Sequence, residues 1–103
     1  MAAAAIVELA GGTPSQAAEA MAITLKNMLG LVCDPVAGLV EIPCAKRNAS
    51  GTVSALTTAD MVMGGVMSKI PFDETVEAMY KIGKAMPCAL RETAQGGVAI
   101  TET

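Results

Sequence analysis

Histidine is absent from all 103 residues, tryptophan is absent as well, and phenylalanine and tyrosine occur once each. A chain without histidine cannot form a Ser-His or Cys-His catalytic pair within itself, nor a zinc site that mixes histidine with cysteine. A core without aromatic bulk has to be filled by Ala, Val, Leu, Ile and the eight Met residues. Because such side chains each bury little area, we expect a domain that packs on further protein.

The chain also lacks a strong excess of either charge and any long apolar run. The net charge is −3 and no cluster of Lys and Arg reaches five residues, so no nucleic-acid partner is expected. Gly, Pro or charged residues interrupt every apolar run before about 18 positions, which argues against a membrane span. The N-terminal run lacks a basic flank and meets Glu8, so it does not resemble a signal peptide. Three cysteines without an export signal therefore indicate reduced thiols in the cytoplasm.

The hydrophobic periodicity is helical throughout, and no stretch alternates strictly for long enough to predict a strand. Helices are predicted at residues 2–10, 13–30, 44–63, 71–86 and 87–97. An ordered loop with at most one helical turn is expected at residues 31–43, and an irregular tail is expected to end at Thr103. The sequence thus predicts an all-α fold: one domain over residues 1–103, a compact bundle of four to five helices. Its centre would be helix 44–63, which is rich in Ala, Ser, Thr and Gly.

Two helix starts carry recognisable caps. Thr13 is predicted to cap the second helix, with Gln16 completing a capping box, and Asp73 is predicted to cap the fourth. The buried face of the fourth helix is predicted to hold Val76, Met79, Tyr80, Gly83 and Met86. Glu77 and Lys81, four residues apart, would pair on its outer side.

Cys33 and Cys44 are separated by ten residues. Cys33 lies in a predicted Asp-Pro turn, and Cys44 follows Pro43 at the start of a helix. A thiolate at a helix start is stabilised by free backbone N–H groups and by the helix dipole, and cluster sulfur needs similar surroundings. The spacing matches no Cys-x-x-Cys pattern, so spacing alone favours two small buried apolar side chains. Cys88 is predicted on a buried helix face with a structural role.

Lys46, Arg47 and Asn48 follow Cys44 within one helical turn. Together they supply bidentate and amide donors that suit a carboxylate ligand, although a solvated helix face explains them equally well. The Gly-Gly pairs match no phosphate-loop spacing, so nucleotide binding has little support.

The stretch GLVCDPVAGLVEIPCAKRN at residues 30–48 resembles the signature of the α domain of iron–sulfur-dependent L-serine dehydratases. The similarity continues in ELAGGTP at 8–14, LKNMLG at 25–30, IPFDE at 70–74, Met79-Tyr80 and LRET at 90–93. Two cysteines, an Asp-Pro turn and Lys-Arg-Asn in fixed order form a highly specific combination. This resemblance favours a functional role for Cys33 and Cys44 over the structural one.

The resemblance implies an enzyme that eliminates water from L-serine to give aminoacrylate, and then pyruvate and ammonia. It also implies a [4Fe–4S] cluster in place of pyridoxal phosphate, held by three cysteines, with an open fourth iron that acts as a Lewis acid on the substrate. Cys33 and Cys44 match the second and third of these ligands. Lys46, Arg47 and Asn48 would lie at the rim, within reach of the substrate carboxylate.

The family's first cysteine ligand would lie upstream of Met1, and its β domain is also missing. The resemblance therefore implies a C-terminal fragment of the α domain, inactive alone and without its cluster. Its expected partners are the β domain or β subunit, L-serine and further copies of the chain. An alternative is a non-catalytic helical interaction or regulatory module that retains the fold. Cys88 matches no ligand position, and a structural zinc site would need more ligands than three cysteines supply.

Overall fold

The computed structural model describes residues 1–101; Glu102 and Thr103, the end of the predicted tail, lie outside the described residues. Four α-helices follow one another: α1 at Ala2–Leu9, α2 at Pro14–Lys26, α3 at Cys44–Met63 and α4 at Phe72–Ala85. Three short 3₁₀ turns lie at Val36–Gly38, Cys88–Leu90 and Gly97–Ile100. Residues 1–101 contain no strand beyond one isolated bridge, so the all-α prediction is confirmed.

The capping residues explain where two of the helices begin. The Thr13 hydroxyl accepts a hydrogen bond from the Gln16 N–H at 3.1 Å, and the Gln16 side chain accepts one from the Thr13 N–H at 2.9 Å. The predicted capping box is therefore confirmed. The prediction for Asp73 is wrong, because the extended backbone of Pro71 lets α4 begin at Phe72. Asp73 instead lies in the first turn, where its negative charge favours the helix dipole.

The core is small and aliphatic. Its buried members are Ala3, Val7, Ala20, Ile23, Ala55, Ala59 and Val62. The predicted centre, α3, packs on α1 and α2, while α2 packs on all three other helices. The small side chains of α2 allow this close approach, since Ala20 and Ala22 are both fully buried. The molecule is flattened, with extents of 46 × 25 × 15 Å.

The predicted buried face of α4 is wrong. Val76, Met79, Tyr80 and Gly83 are exposed and Met86 is half-buried, whereas the only fully buried residue of α4 is Thr75. The reason is that α4 makes an extended contact with α2 alone, so its apolar side faces an open groove of about 370 Å³ shared with α1 and α2. The outer pair is confirmed, with Glu77 and Lys81 joined at 3.1 Å.

The predicted helix at residues 87–97 does not form. Glu92 and Ala94 adopt left-handed backbone conformations, with φ of 65° and 57°, which a right-handed helix does not accommodate. The segment instead contains one 3₁₀ turn and the start of another. Cys88 is consequently exposed, which corrects the prediction that it is buried. Within residues 1–101, no helix has both the length and the hydropathy that crossing a bilayer requires.

Candidate functional site

Cys33 is held in an extended conformation beside the C-terminal segment. Its N–H donates to the carbonyl of Leu90 at 2.9 Å, and its own carbonyl accepts from the N–H of Glu92 at 2.7 Å. These two bonds form a parallel bridge between Cys33 and Arg91. The backbone of Cys33 is therefore fixed on both sides, and only its side chain remains free to bind a ligand.

The loop at residues 31–43 turns back on itself and leads into α3. Ala37 and Gly38 have φ of 56° and 72°, so two successive left-handed residues reverse the chain direction. The N–H of Val36 then donates to the carbonyl of Ile42 at 2.8 Å, which closes the loop. The predicted ordered loop with a single helical turn is confirmed, and it ends at Cys44, the first residue of α3.

Asp34 is the buried centre of this region, with an exposed fraction of 1 %. One carboxylate oxygen, Oδ1, accepts from Nη1 of Arg47 at 2.5 Å, and the other, Oδ2, accepts from the N–H of Val98 at 2.7 Å. The same Nη1 of Arg47 donates to the carbonyl of Val32 at 2.9 Å. Asp34 thus joins the loop, the first turn of α3 and the C-terminal 3₁₀ turn.

Gly97 is required where the C-terminal turn meets Asp34. Its φ is +64°, and a Cβ placed there would lie 2.8 Å from both Cβ and Cγ of Asp34. The 3₁₀ turns Val36–Gly38 and Gly97–Ile100 also pack on one another. The C-terminal turn therefore packs against the loop and closes over the carboxylate.

The surroundings shift the pKa values of the Cys33 thiol and the Asp34 carboxyl in opposite directions. Burial is the largest effect that raises the pKa of the Cys33 thiol, and Coulomb interactions with Glu92, Cys44 and Asp34 raise it further, while the interaction with Arg47 lowers it. Hydrogen bonding from the Val98 N–H and then from Arg47 lowers the pKa of Asp34. Asp34 is therefore ionised at neutral pH and forms an ion pair with Arg47. The loop carries Cys33 near its start and leads into Cys44, the first residue of α3.

The predicted site residues all lie around this neighbourhood. Cys33 and Cys44 are half-buried free thiols. Lys46 and Asn48 are exposed in the first turn of α3, and the Arg47 side chain is 37 % exposed, with Nη1 directed at Asp34. Within residues 1–101, no three Cys, His, Asp or Glu side chains are grouped so as to hold a metal ion.

The sequence did not indicate which groups surround and hold the segment that carries Cys33. These are the carboxylate of Asp34, the backbone of residues 90–92 and the turn that begins at Gly97. A signal existed for the last of them, since a Gly-Gly pair often marks a left-handed conformation. Asp34 stood beside Cys33 in the sequence, but nothing in the spacing indicated that its partners would be Arg47 and Val98.

The family model described as serine dehydratase alpha chain matches residues 1–99. The chain belongs to the serine dehydratase α-chain family. Over its whole length it is 72 % identical to the probable L-serine dehydratase alpha chain of Bacillus subtilis strain 168. It is 60 % identical to the probable L-serine dehydratase alpha chain of Latilactobacillus sakei and 56 % identical to the L-serine dehydratase alpha chain of Peptoniphilus asaccharolyticus, again over its whole length.

The chain spans only part of the length of those relatives. Its 103 residues cover 34 % of the Bacillus subtilis protein, 49 % of the Latilactobacillus sakei protein and 35 % of the Peptoniphilus asaccharolyticus protein. No solved structure matches the chain.

Proposed function

We propose that this chain is part of an L-serine ammonia-lyase that converts L-serine to pyruvate and ammonia with the help of a [4Fe–4S] cluster. The observation that carries the proposal is that Cys33 and Cys44, two half-buried free thiols, lie at the two ends of one loop that closes on itself through the Val36–Ile42 hydrogen bond. The relatives named L-serine dehydratase alpha chain support the reaction class.

The two thiols are chemically suited to iron. Thiolates are the usual ligands of iron–sulfur clusters, and both sulfurs are half-buried and free of disulfides. A bound cation would counter the burial and the neighbouring negative charges that raise the pKa of the Cys33 thiol. Within residues 1–101, no three Cys, His, Asp or Glu side chains lie close enough together to hold a metal ion. In this proposal a further ligand therefore comes from another part of the enzyme. When bound, the cluster supplies a Lewis acid for the departing hydroxyl group.

The first turn of α3 is proposed to receive the substrate carboxylate. Lys46 and Asn48 are exposed there and supply an ammonium and an amide donor directly after Cys44. Arg47 was predicted to join them, but its Nη1 is bound to Asp34 and Val32, so the proposal assigns the substrate contacts to Lys46 and Asn48. These contacts would orient L-serine so that its hydroxyl points toward the thiol pair.

The rest of the enzyme is needed for activity in this proposal. With two thiol ligands in place of three, the chain alone is expected to hold no stable cluster and to be inactive. The β domain or β subunit, and further copies of the chain, are proposed to cover exposed apolar residues such as Leu39, Val40 and Met67. The proposal also places the enzyme in the cytoplasm, where its thiols stay reduced.

The second candidate is a non-catalytic helical interaction module that keeps the fold. The exposed apolar side of α4 favours it, because Val76 and Met79 line the open groove and are exposed. A module that only packs against other proteins would have no metal centre. The two candidates therefore differ in visible absorption, which only an enzyme with an iron–sulfur cluster would show.

The complete dehydratase that carries this segment should bind iron and act on L-serine. After anaerobic reconstitution with iron and sulfide we expect broad visible absorption, about four iron atoms per α chain and formation of pyruvate from L-serine. Absorption spectroscopy, iron analysis and a pyruvate assay on the same sample check this. A well-folded enzyme with neither colour nor pyruvate would contradict the proposal and favour the interaction module.

A further inference from the structure

We propose that the Asp34–Arg47 ion pair is a positioning device that fixes Cys33 relative to Cys44, and that Arg47 serves the reaction through Asp34 rather than by touching L-serine. This inference rests on the proposed function. It assigns to Asp34 a role that its sequence position did not indicate, and it gives Arg47 a role different from those of Lys46 and Asn48.

The contacts of Arg47 lie on both sides of Cys33. Its Nη1 donates to the carbonyl of Val32 at 2.9 Å and to Oδ1 of Asp34 at 2.5 Å, which are the residues immediately before and after Cys33. Arg47 itself stands three residues after Cys44, so the two share one face of the first turn of α3. These two hydrogen bonds therefore hold the segment around Cys33 against the first turn of α3, which begins with Cys44.

The burial of Asp34 makes this connection stiff. Both carboxylate oxygens are used, one by Arg47 and the other by the N–H of Val98 at 2.7 Å, and the residue is 1 % exposed. A buried charge without its partner is strongly unfavourable, so the pair resists separation. Side chains that bind a metal have to be held to within about 0.5 Å of the required geometry. Ten residues of loop separate the two thiols and no disulfide links them, so non-covalent contacts have to fix their relative position.

The same contacts make Arg47 a poor ligand for a substrate carboxylate. Its positive charge is already matched by the carboxylate of Asp34, whose Oδ1 accepts from Nη1 of Arg47. Lys46 and Asn48 are exposed and have no such partner among the hydrogen bonds of residues 1–101. Within this helical turn, Arg47 thus faces the loop, while Lys46 and Asn48 face solvent.

The test uses the complete, anaerobically reconstituted dehydratase with Asp34→Asn, Arg47→Gln, the double variant and the control Asp60→Asn. Asp60 is an exposed residue of α3, so its variant loses the same charge away from the loop. We expect Asp34→Asn and Arg47→Gln each to speed cluster loss to a chelator by about tenfold to a hundredfold, as removal of outer-sphere contacts does in other metal sites. The double variant should lose its cluster no faster than the worse single variant, because each single variant already removes the same Asp34–Arg47 ion pair.

Steady-state kinetics separate positioning from substrate binding. We expect the KM for L-serine to stay within about twofold of the parent in both single variants, with kcat falling in proportion to cluster loss. The milder Arg47→Lys variant keeps the charge and should give an intermediate rate of cluster loss, even if the other variants fold poorly. An Arg47→Gln enzyme with a stable cluster and a KM raised about tenfold or more would overturn the inference, as would multiplicative effects in the double variant.

Failure of this inference differs from failure of the proposed function. If the parent enzyme holds a cluster and deaminates L-serine while Asp34→Asn and Arg47→Gln lose the cluster no faster than Asp60→Asn, the positioning role is refuted and the function stands. If the parent enzyme itself binds no iron, the proposed function is refuted, and the positioning role with it.

Discussion

Replacing Cys44 with Ser in the complete dehydratase should lower kcat for L-serine deamination by at least about a thousandfold, equivalent to roughly 4 kcal/mol of barrier. Cys33→Ser should do the same. A serine hydroxyl stays protonated at neutral pH and is a much poorer iron ligand than a thiolate. Because the proposed site has only three protein ligands, loss of either one leaves the cluster without a stable attachment.

The matched control is Cys88→Ser. Cys88 is exposed and lies outside the proposed site, so its variant should keep the iron content and the activity of the parent enzyme. Iron analysis and the pyruvate assay, both under anaerobic conditions, measure the three variants side by side. Full activity in Cys33→Ser or in Cys44→Ser would show that the residue is not a required ligand.

Gly97→Ala should destabilise the α chain by about 3 kcal/mol. The left-handed conformation is unfavourable for alanine by about 1–2 kcal/mol, and overpacking against a fixed neighbour adds a similar amount. The neighbour here is the carboxylate of Asp34, whose Cβ and Cγ would both lie 2.8 Å from the new methyl group. Relief of that contact moves Asp34 away from Arg47, so the cluster should also be lost faster.

Gly11→Ala is the matched control for Gly97→Ala. Gly11 has a φ of +85° but no atom within 4 Å of the position where a Cβ would stand. It should therefore show the conformational penalty alone, about 1–2 kcal/mol, with cluster retention unchanged. Chemical denaturation of the complete α chain gives both values. Equal destabilisation in the two variants would mean that the contact with Asp34 is easily relieved.

Some helix boundaries were predictable because local chemistry determines them, although α2, predicted to reach residue 30, ends at Lys26. Thr13 and Gln16 form their capping box within four residues, and α3 runs over the predicted range Cys44–Met63. The face of α4 was not predictable in the same way. Periodicity identifies which side of a helix is apolar, but not whether a neighbour covers it, and α4 packs extensively on α2 alone.

The candidate site was predictable only in part. The two cysteines and the residues after Cys44 could be singled out from the sequence and its resemblance to a family. The contacts of Asp34 could not, because its partners lie 13 and 64 residues away along the chain, and only the folded loop brings them together. Likewise, the bridge from Cys33 to Arg91 depends on a segment for which the sequence predicted a helix.

If Cys33 and Cys44 hold a cluster that acts directly on L-serine, Mössbauer spectroscopy of the complete enzyme should detect it. The enzyme is reconstituted with ⁵⁷Fe and measured before and after addition of L-serine. We expect the signal of a four-iron cluster in which about a quarter of the iron changes its spectrum when L-serine binds, and no such signal in Cys33→Ser. A cluster spectrum that is identical with and without L-serine while pyruvate forms, or that persists in Cys33→Ser, would contradict it.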